Sequence, residues 1–187
     1  MRRTSTSLSA GILLGHNTNP LISNIYKILQ SGYLKSGKET GITRFSGDRP
    51  ELQEYIYLMV VGLNKSKTGF RFELDYELLL DNIFYLNVGW RGEPSDDAVK
   101  INGKKIDKIK LNATLETYAK KVKKINPKSE YAAVSHEILV SRKIDLEKYL
   151  RKIVISRSDI KRAKKTYERL RKLLKRRYPN VEVILER

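Results

Sequence analysis

The chain has 187 residues, no cysteine and a formal net charge of +17. That length suits one domain, and 40% hydrophobic residues are enough to bury a core, which excludes a disordered chain. The missing cysteine excludes disulfides and thiolate metal sites, and no apolar run approaches the roughly 20 residues of a membrane span. The charge is unevenly placed. Residues 1–99 carry 11 Lys/Arg against 11 Asp/Glu, and residues 100–187 carry 27 against 10. Such asymmetry predicts a basic face on a neutral body, suited to nucleic acid or an acidic partner protein.

Residues 1–7 are polar and read as flexible. Ser9–Gly15 reads as a short buried strand. Its apolar stretch Ala10–Leu14 is brief and runs into Gly15-His16-Asn17, so no cleaved signal peptide is expected. A helix follows, with Asn19 as cap, Pro20 at its first position, Gly32 at its stop, and Leu21, Ile25, Ile28 and Leu29 as its apolar stripe. Lys35–Glu51 reads as a Gly- and Ser-rich loop holding Arg44, Ser46 and Arg49. Strands are predicted at Tyr55–Val61, Phe70–Leu74 and Ile83–Val88, with one helical turn at Tyr76–Asp81 and a turn at Gly89–Pro94. Asn102-Gly103 carries a hairpin signal.

Leu111–Ile125 reads as a helix with Leu115, Tyr118, Val122 and Ile125 on one face and Lys120, Lys121, Lys123 and Lys124 on the other; Asn126–Glu130 breaks it. Ala132–Val140 and Lys152–Ile155 read as strands. Ser156 opens a capping-box-like Ser-x-x-Asp with Asp159, and one helix is expected to run to about Arg177. Its stripe is Ile160, Ala163, Tyr167, Leu170 and Leu174. Its other faces carry Lys161, Arg162, Lys164, Lys165, Arg169, Arg171, Lys172, Lys175, Arg176 and Arg177. A terminal strand is predicted at Val181–Leu185. Strands that cluster rather than alternate with helices predict an α+β fold: a single domain over 1–187 with a mixed, largely antiparallel split sheet and flanking helices, the basic 156–187 helix and strand packed on it.

Neither histidine, His16 nor His136, sits in a zinc-binding spacing. Gly-rich phosphate loops and the G-x-S-x-G elbow are absent. What remains is a set of strand-end residues. His16-Asn17-Thr18 lies where the first strand gives way to the first helix, a junction that presents backbone N–H groups to anions. Tyr55 and Tyr57 share one face of their strand. Glu137 lies within an apolar strand, where a carboxylate needs a partner or a function; a salt bridge to a nearby lysine is the structural alternative.

These residues resemble a known pattern. His16-Asn17-Thr18-Asn19-Pro20, followed by a helix ending Ile28-Leu29-Gln30-Ser31-Gly32-Tyr33-Leu34, is similar to the opening of ADP-ribosyltransferase domains of the His-Tyr-Glu type. A tyrosine-bearing strand comes next, here Tyr55-Ile56-Tyr57-Leu58, and a later strand presents a glutamate, here Ser135-His136-Glu137-Ile138. The stretch from Glu137 through Val154-Ile155 to Val181-Glu182-Val183 resembles the C-terminal end of DarT-type enzymes, which ADP-ribosylate bases of DNA. The resemblance implies an ADP-ribosyltransferase-like fold and NAD as a substrate. It implies Glu137 as the catalytic residue, with His16, Asn17, Thr18, Arg44 and Tyr57 (or Tyr55 in its place) as the NAD-binding residues. Asn17 stands where the family has Gly, and Ser135 stands where arginine-modifying members have a second carboxylate, which argues against arginine as acceptor. The basic half then supplies a nucleic-acid site at Lys120, Lys121, Lys124, Lys161, Lys164, Lys165, Arg169 and Arg176. Two alternatives remain: a nucleic-acid-binding protein without catalysis, and a metal-independent nuclease or glycosylase. The expected location is cytoplasmic or nucleoid/nuclear, without a membrane anchor.

Overall fold

The computed structural model describes residues 12–18, 21–40, 54–61, 71–87, 98–125 and 137–186. The predicted flexible segment 1–7, the turn at 89–94, the break at 126–130 and residues 132–136 of the predicted 132–140 strand lie outside these. So does the Arg44–Arg49 stretch. The elements in chain order are β1 (Leu13–His16), α1 (Ile22–Ser31), β2 (Tyr33–Leu34), α2 (Gly37–Thr40), β3 (Ile56–Val60) and β4 (Phe72–Asp75). A 3-10 helix over Tyr76–Asp81, β5 (Ile83–Leu86), β6 (Val99–Asn102), a 3-10 turn over Gly103–Lys105 and α3 (Lys108–Ile125) follow. The last part holds β7 (Ile138–Val140), β8 (Ile144–Asp145), α4 (Leu146–Tyr149), β9 (Leu150–Ser156), α5 (Arg157–Arg162), α6 (Lys164–Arg177) and β10 (Glu182–Glu186).

Eight strands form one sheet in the order β10-β9-β4-β1-β3-β7-β5-β6, and β2 pairs with β8 in a separate small one. Every pairing is antiparallel except that of β10 with β9. A parallel pair needs a crossover, and α5 with α6 supplies it. The predicted largely antiparallel α+β architecture is therefore present. Its split is at β3, which pairs with β1 through Met59 and Val60 and with β7 through Ile56, Tyr57 and Leu58.

Alternation explains the core. Leu14, Val60, Leu58, Ile56, Phe72, Leu74 and Ile153 are buried, as are Ile138, Val140, Phe84 and Leu86, and the registers align them on one face. Helix α1 adds Ile22, Ile25 and Leu29; α3 adds Leu111, Leu115, Tyr118 and Val122; α6 adds Leu170, Leu173 and Leu174. On the opposite face the registers place Gly15, Glu73, Lys152 and Glu182 side by side across four strands. Lys152 bridges Glu73 and Glu182 at 3.4 Å each. Burial opposes its ammonium charge, but the two carboxylates outweigh burial and hold the lysine pKa above its ordinary value.

The ends of α1 and α6 are tied together. Gly32 caps α1 in the left-handed region at φ 78°, as predicted. The Tyr178 hydroxyl, just past α6, donates to the Leu29 carbonyl at 2.7 Å. Arg177 donates to the Gln30 carbonyl at 2.7 Å and pairs with Glu147. Arg177, read from sequence as part of the exposed basic face, is thus a structural clamp. Burial first, with Glu147 and Asp145 adding against Arg177, pushes the Tyr178 phenol up to about 12.

Several sequence-based expectations are corrected. α1 begins at Ile22, with Leu21 as its cap residue and no side-chain cap bond; the predicted Asn19 cap and Pro20 first position lie outside the described residues. Ile22 takes the stripe position assigned to Leu21, which is 51% exposed. Part of the predicted 35–51 loop is the helical turn α2. The 156–177 helix is two helices, because Ala163 leaves helical geometry at φ −131°, ψ 45°. Ser156 caps α5 through the Ser158 N–H. Asn102-Gly103 makes no hairpin. Asn102 accepts from the Lys104 N–H and starts a 3-10 turn, and Gly103 is pressed so close to Leu79 that an added Cβ would sit 1.7 Å from its carbonyl oxygen. The turn at Tyr76–Asp81 is as predicted, and Leu115, Tyr118 and Val122 of the predicted α3 face are buried, with α3 starting earlier, at Lys108; the side chain of Ile125 is outside the described residues.

Gly103→Ala must push the Leu79 backbone away, and urea unfolding should show a loss of about 3 kcal/mol. Tyr178→Phe should cost about 1 kcal/mol near neutral pH. A raised phenol pKa favours the protonated folded form, so this contribution is complete below pH 10, the phenol's ordinary value, and is lost as pH rises toward about 12. Thermal unfolding across that window should show wild type losing its margin over the Phe variant.

Candidate active site at the split of the sheet

The site is built where β1 leaves β3. The two strands pair at Leu14↔Val60 and Gly15↔Met59, and the Val61 N–H donates to the Leu13 carbonyl at 2.9 Å. One step further the ladder gives way to a side chain: His16 Nδ1–H donates to the Tyr57 carbonyl at 2.9 Å. Because a carbonyl can only accept, this bond fixes the proton on Nδ1 and leaves Nε2 as the ring's other polar atom. β1 therefore stays fastened to β3 by an imidazole at the point where the backbone ladder stops. Asn17 is exposed and Thr18 half-buried on the way to α1.

Tyr57 faces away from the core, sharing its side of β3 with Met59. Its cross-strand neighbour is Leu139, whose other neighbour is Tyr85. Tyr55, just before β3, meets Tyr85 edge-on with centroids 5.6 Å apart at 82°. Burial, then Tyr85, raises the Tyr55 phenol pKa. Sequence reasoning missed Tyr85; its place in the alternating Ile83-Phe84-Tyr85-Leu86 run was the available signal.

Glu137 immediately precedes β7, so the predicted 132–140 strand is shorter among the described residues. The Asn87 N–H donates to the Glu137 carbonyl at 3.0 Å and extends the β5–β7 ladder by one step. Continuing the β3–β7 register by that step sets Glu137 opposite Met59 and diagonal to Tyr57, a relation that spans about 7–8 Å. Tyr118 of α3 completes the support. Its hydroxyl donates to the Asn87 carbonyl at 2.9 Å, and burial first, then the Glu137 charge, drives its phenol pKa upward. Asn87 is thus held by Tyr118 through its carbonyl and holds Glu137 through its N–H. Tyr118 was legible only as a core-face residue of the helix.

The strands thus set His16 against the Tyr57 carbonyl and Glu137 diagonal to Tyr57, while Arg44 lies outside the described residues. The basic residues fall into two groups. Lys120 and Lys121 are exposed on α3, which Tyr118 ties to the β5 side; the side chain of Lys124 is outside the described residues. Lys161, Lys164, Lys165, Arg169 and Arg176 are exposed on α5 and α6, beside β9 and β10. β5 and β9 are five strand spacings apart, about 24 Å, so the expected single basic face is two. The second group reaches toward the site. β9 runs in the direction of β1, with Ile153 level with Phe72 and Phe72 level with His16. The chain beyond Ile153, and so α5 and the first turn of α6, lies at the His16 end of the sheet. Among the described residues none of these α5–α6 cations is in an ion pair, whereas Lys38, Arg71, Lys108, Lys148, Arg151, Lys152 and Arg177 all are.

Residues 12–125 match the model of a family described as a family of unknown function (DUF5846). The chain belongs to that family. No curated protein matches this DUF5846 chain. Among solved structures it is similar to Thermus sp. 2.9 DarT in complex with carba-NAD+, at 13% identity over 94% of each chain, with a TM-score of 0.52. It is likewise similar to Thermus sp. 2.9 DarT in complex with ADP-ribosylated ssDNA, at 13% identity over 94% of this chain and 93% of that one, with a TM-score of 0.50. The DUF5846 chain therefore has the DarT-like ADP-ribosyltransferase fold, along nearly its whole length. No described helix is long and apolar enough to cross a membrane.

Tyr118→Phe should leave the Asn87 carbonyl without its phenol donor in a buried setting. Denaturant unfolding should show a cost of about 1–2 kcal/mol. Amide exchange of Asn87 should accelerate by about tenfold, while that of β1 stays unchanged.

Proposed function

We propose that this DUF5846 chain is an NAD-dependent ADP-ribosyltransferase of the His-Tyr-Glu type, acting on a nucleic acid or a nucleic-acid-bound protein. What supports this reading is the placement of His16 against the Tyr57 carbonyl and of Glu137 diagonal to Tyr57, at the split of a sheet whose fold is shared with proteins solved with carba-NAD+ and with ADP-ribosylated ssDNA.

In the reaction the nicotinamide–ribose C–N bond breaks and its electron pair leaves with nicotinamide. The ribose carbon gains oxocarbenium character, a nucleophilic atom of the acceptor bonds to it, and the acceptor loses a proton. Glu137 stabilises the positive sugar and holds a ribose hydroxyl; its backbone, fixed through Asn87 and Tyr118, keeps the carboxylate from wandering. Tyr57, which lies within β3 whereas Tyr55 precedes it, packs on the nicotinamide ring. His16 holds the adenosine-side ribose, with its ring orientation set by the Tyr57 carbonyl. Asn17 and Thr18 approach the donor from the strand–helix junction, and Arg44 is assigned the pyrophosphate. Lys161, Lys164 and Lys165, at the His16 end of the sheet, draw the phosphates of the acceptor, with Arg169 and Arg176 further along α6 and Lys120, Lys121 and Lys124 on α3.

The unpaired α5–α6 cations also suit a nucleic-acid-binding protein without catalysis, and one experiment separates the two. Incubation with radiolabelled NAD and single-stranded DNA, RNA or bound protein should transfer label. Glu137→Ala should cut transfer by about 10³-fold with folding intact. Absence of transfer to every acceptor, together with no NAD binding by calorimetry, sinks the transferase reading and leaves binding alone.

A further inference from the structure

The edge strand β10 and the flank of α6 beside it form a groove that the chemistry above does not use. It has a volume of about 500 Å³ and is lined by Tyr167, Arg171, Lys172, Leu174, Lys175 and Val183, with Glu168 as its one acidic wall. β10 ends the sheet order, with β9 as its neighbour among the described strands. Its run Val183-Ile184-Leu185 is 38%, 36% and 39% exposed. Sheet edges are commonly protected by Pro, by a bulge or by charges on the strand. Here the charges are spent inward: Glu182 reaches Lys152 and Glu186 reaches Arg71, each at 3.4 Å. Alternation sets Val183 and Leu185 on the helix side, so the groove has an apolar floor and cationic walls.

We propose that this groove receives an extended, acidic segment of a partner protein, added as a strand alongside β10. Backbone pairing along the edge supplies affinity, and the helix-facing glutamates of the added strand lay their methylene stems on Val183, Leu174 and Tyr167 and their carboxylates on Arg171, Lys172 and Lys175. A nucleic acid has no amide backbone to pair with a strand edge. A second copy of this chain brings the same cations and is repelled. The groove is three strand spacings, about 14 Å, from β1 and is distinct from the candidate active site. Its cations Arg171 and Lys175 line the groove, whereas Lys165 and Arg169 are not part of its lining.

The test uses the full chain and a capped peptide of about ten residues alternating Glu and Val, long enough to span an edge strand. Fluorescence titration should show saturable binding, and amide exchange within 183–185 should slow by about tenfold on addition of peptide. Arg171→Glu with Lys175→Glu, on the exposed helix face, should weaken binding by about tenfold or more, whereas Lys165→Glu with Arg169→Glu should change it less than about twofold. Ile184→Pro should abolish the edge pairing and serves as a second variant, its fold checked by circular dichroism. The proposal is overturned if the peptide does not bind, if its Lys-for-Glu counterpart binds equally, or if the groove variant binds unchanged. It is also overturned if a thymidine oligonucleotide takes the groove in competition, or if sedimentation shows that the groove closes on a second copy. The readout is binding rather than transfer, so its failure and that of the transferase reading are separable.

Discussion

The hydrogen bond from the His16 ring to the Tyr57 carbonyl sits at the point on which the architecture turns. β3 is five residues long and serves two ladders, giving Met59 and Val60 to β1 and Ile56 to Leu58 to β7. A strand that divides its pairing in this way must let one neighbour diverge, and the diverging end would expose an unpaired carbonyl. The imidazole fills that place. It keeps β1 and β3 together while opening the sheet, and it fixes the histidine ring in doing so. Stability and preorganisation of the site are here one and the same bond.

The support behind Glu137 has the same economy. Tyr118 reaches from α3 to the Asn87 carbonyl, and the Asn87 N–H reaches Glu137. Helix α3 is thereby coupled to Glu137 through the backbone of Asn87. Elsewhere in the core, Tyr178 and Arg177 bind the end of α6 to the end of α1. The two halves of the chain, so different in charge, are joined by these buried or half-buried tyrosines and by a clamping arginine.

Elements governed by local rules were legible in sequence. Gly32 announced the end of α1, the turn at Tyr76–Asp81 was read with its bounds, and the apolar stripe of α6 located its buried face. Features set by distant partners were not. Asn102-Gly103 carries a local hairpin signal, but Gly103 is needed for close approach to Leu79, and packing prevailed over turn propensity. The periodicity from Ile160 to Leu174 continues through Ala163, so it conceals the change of helix axis there. Arg177 looks in sequence like its neighbours Lys175 and Arg176 and is distinguished by Glu147, thirty residues away, and by the Gln30 carbonyl. The candidate site was visible as residue types at strand ends, while the contacts that orient them, Tyr57 carbonyl to His16 and Tyr118 to Asn87, depend on register.

One consequence lies in the direction of two helices. α1 begins just after β1, and α6 begins beyond the end of β9, which runs the same way, so both helices start at the His16 end of the sheet. Neither cap residue, Leu21 or Ala163, makes a side-chain cap bond, and neither first turn contains an acidic residue. The macrodipoles of α1 and α6 are thus aligned, each worth about half a unit of positive charge at that end. This part of the attraction for anions is written into chain direction rather than side chains, and it would survive the neutralisation of every lysine on α6.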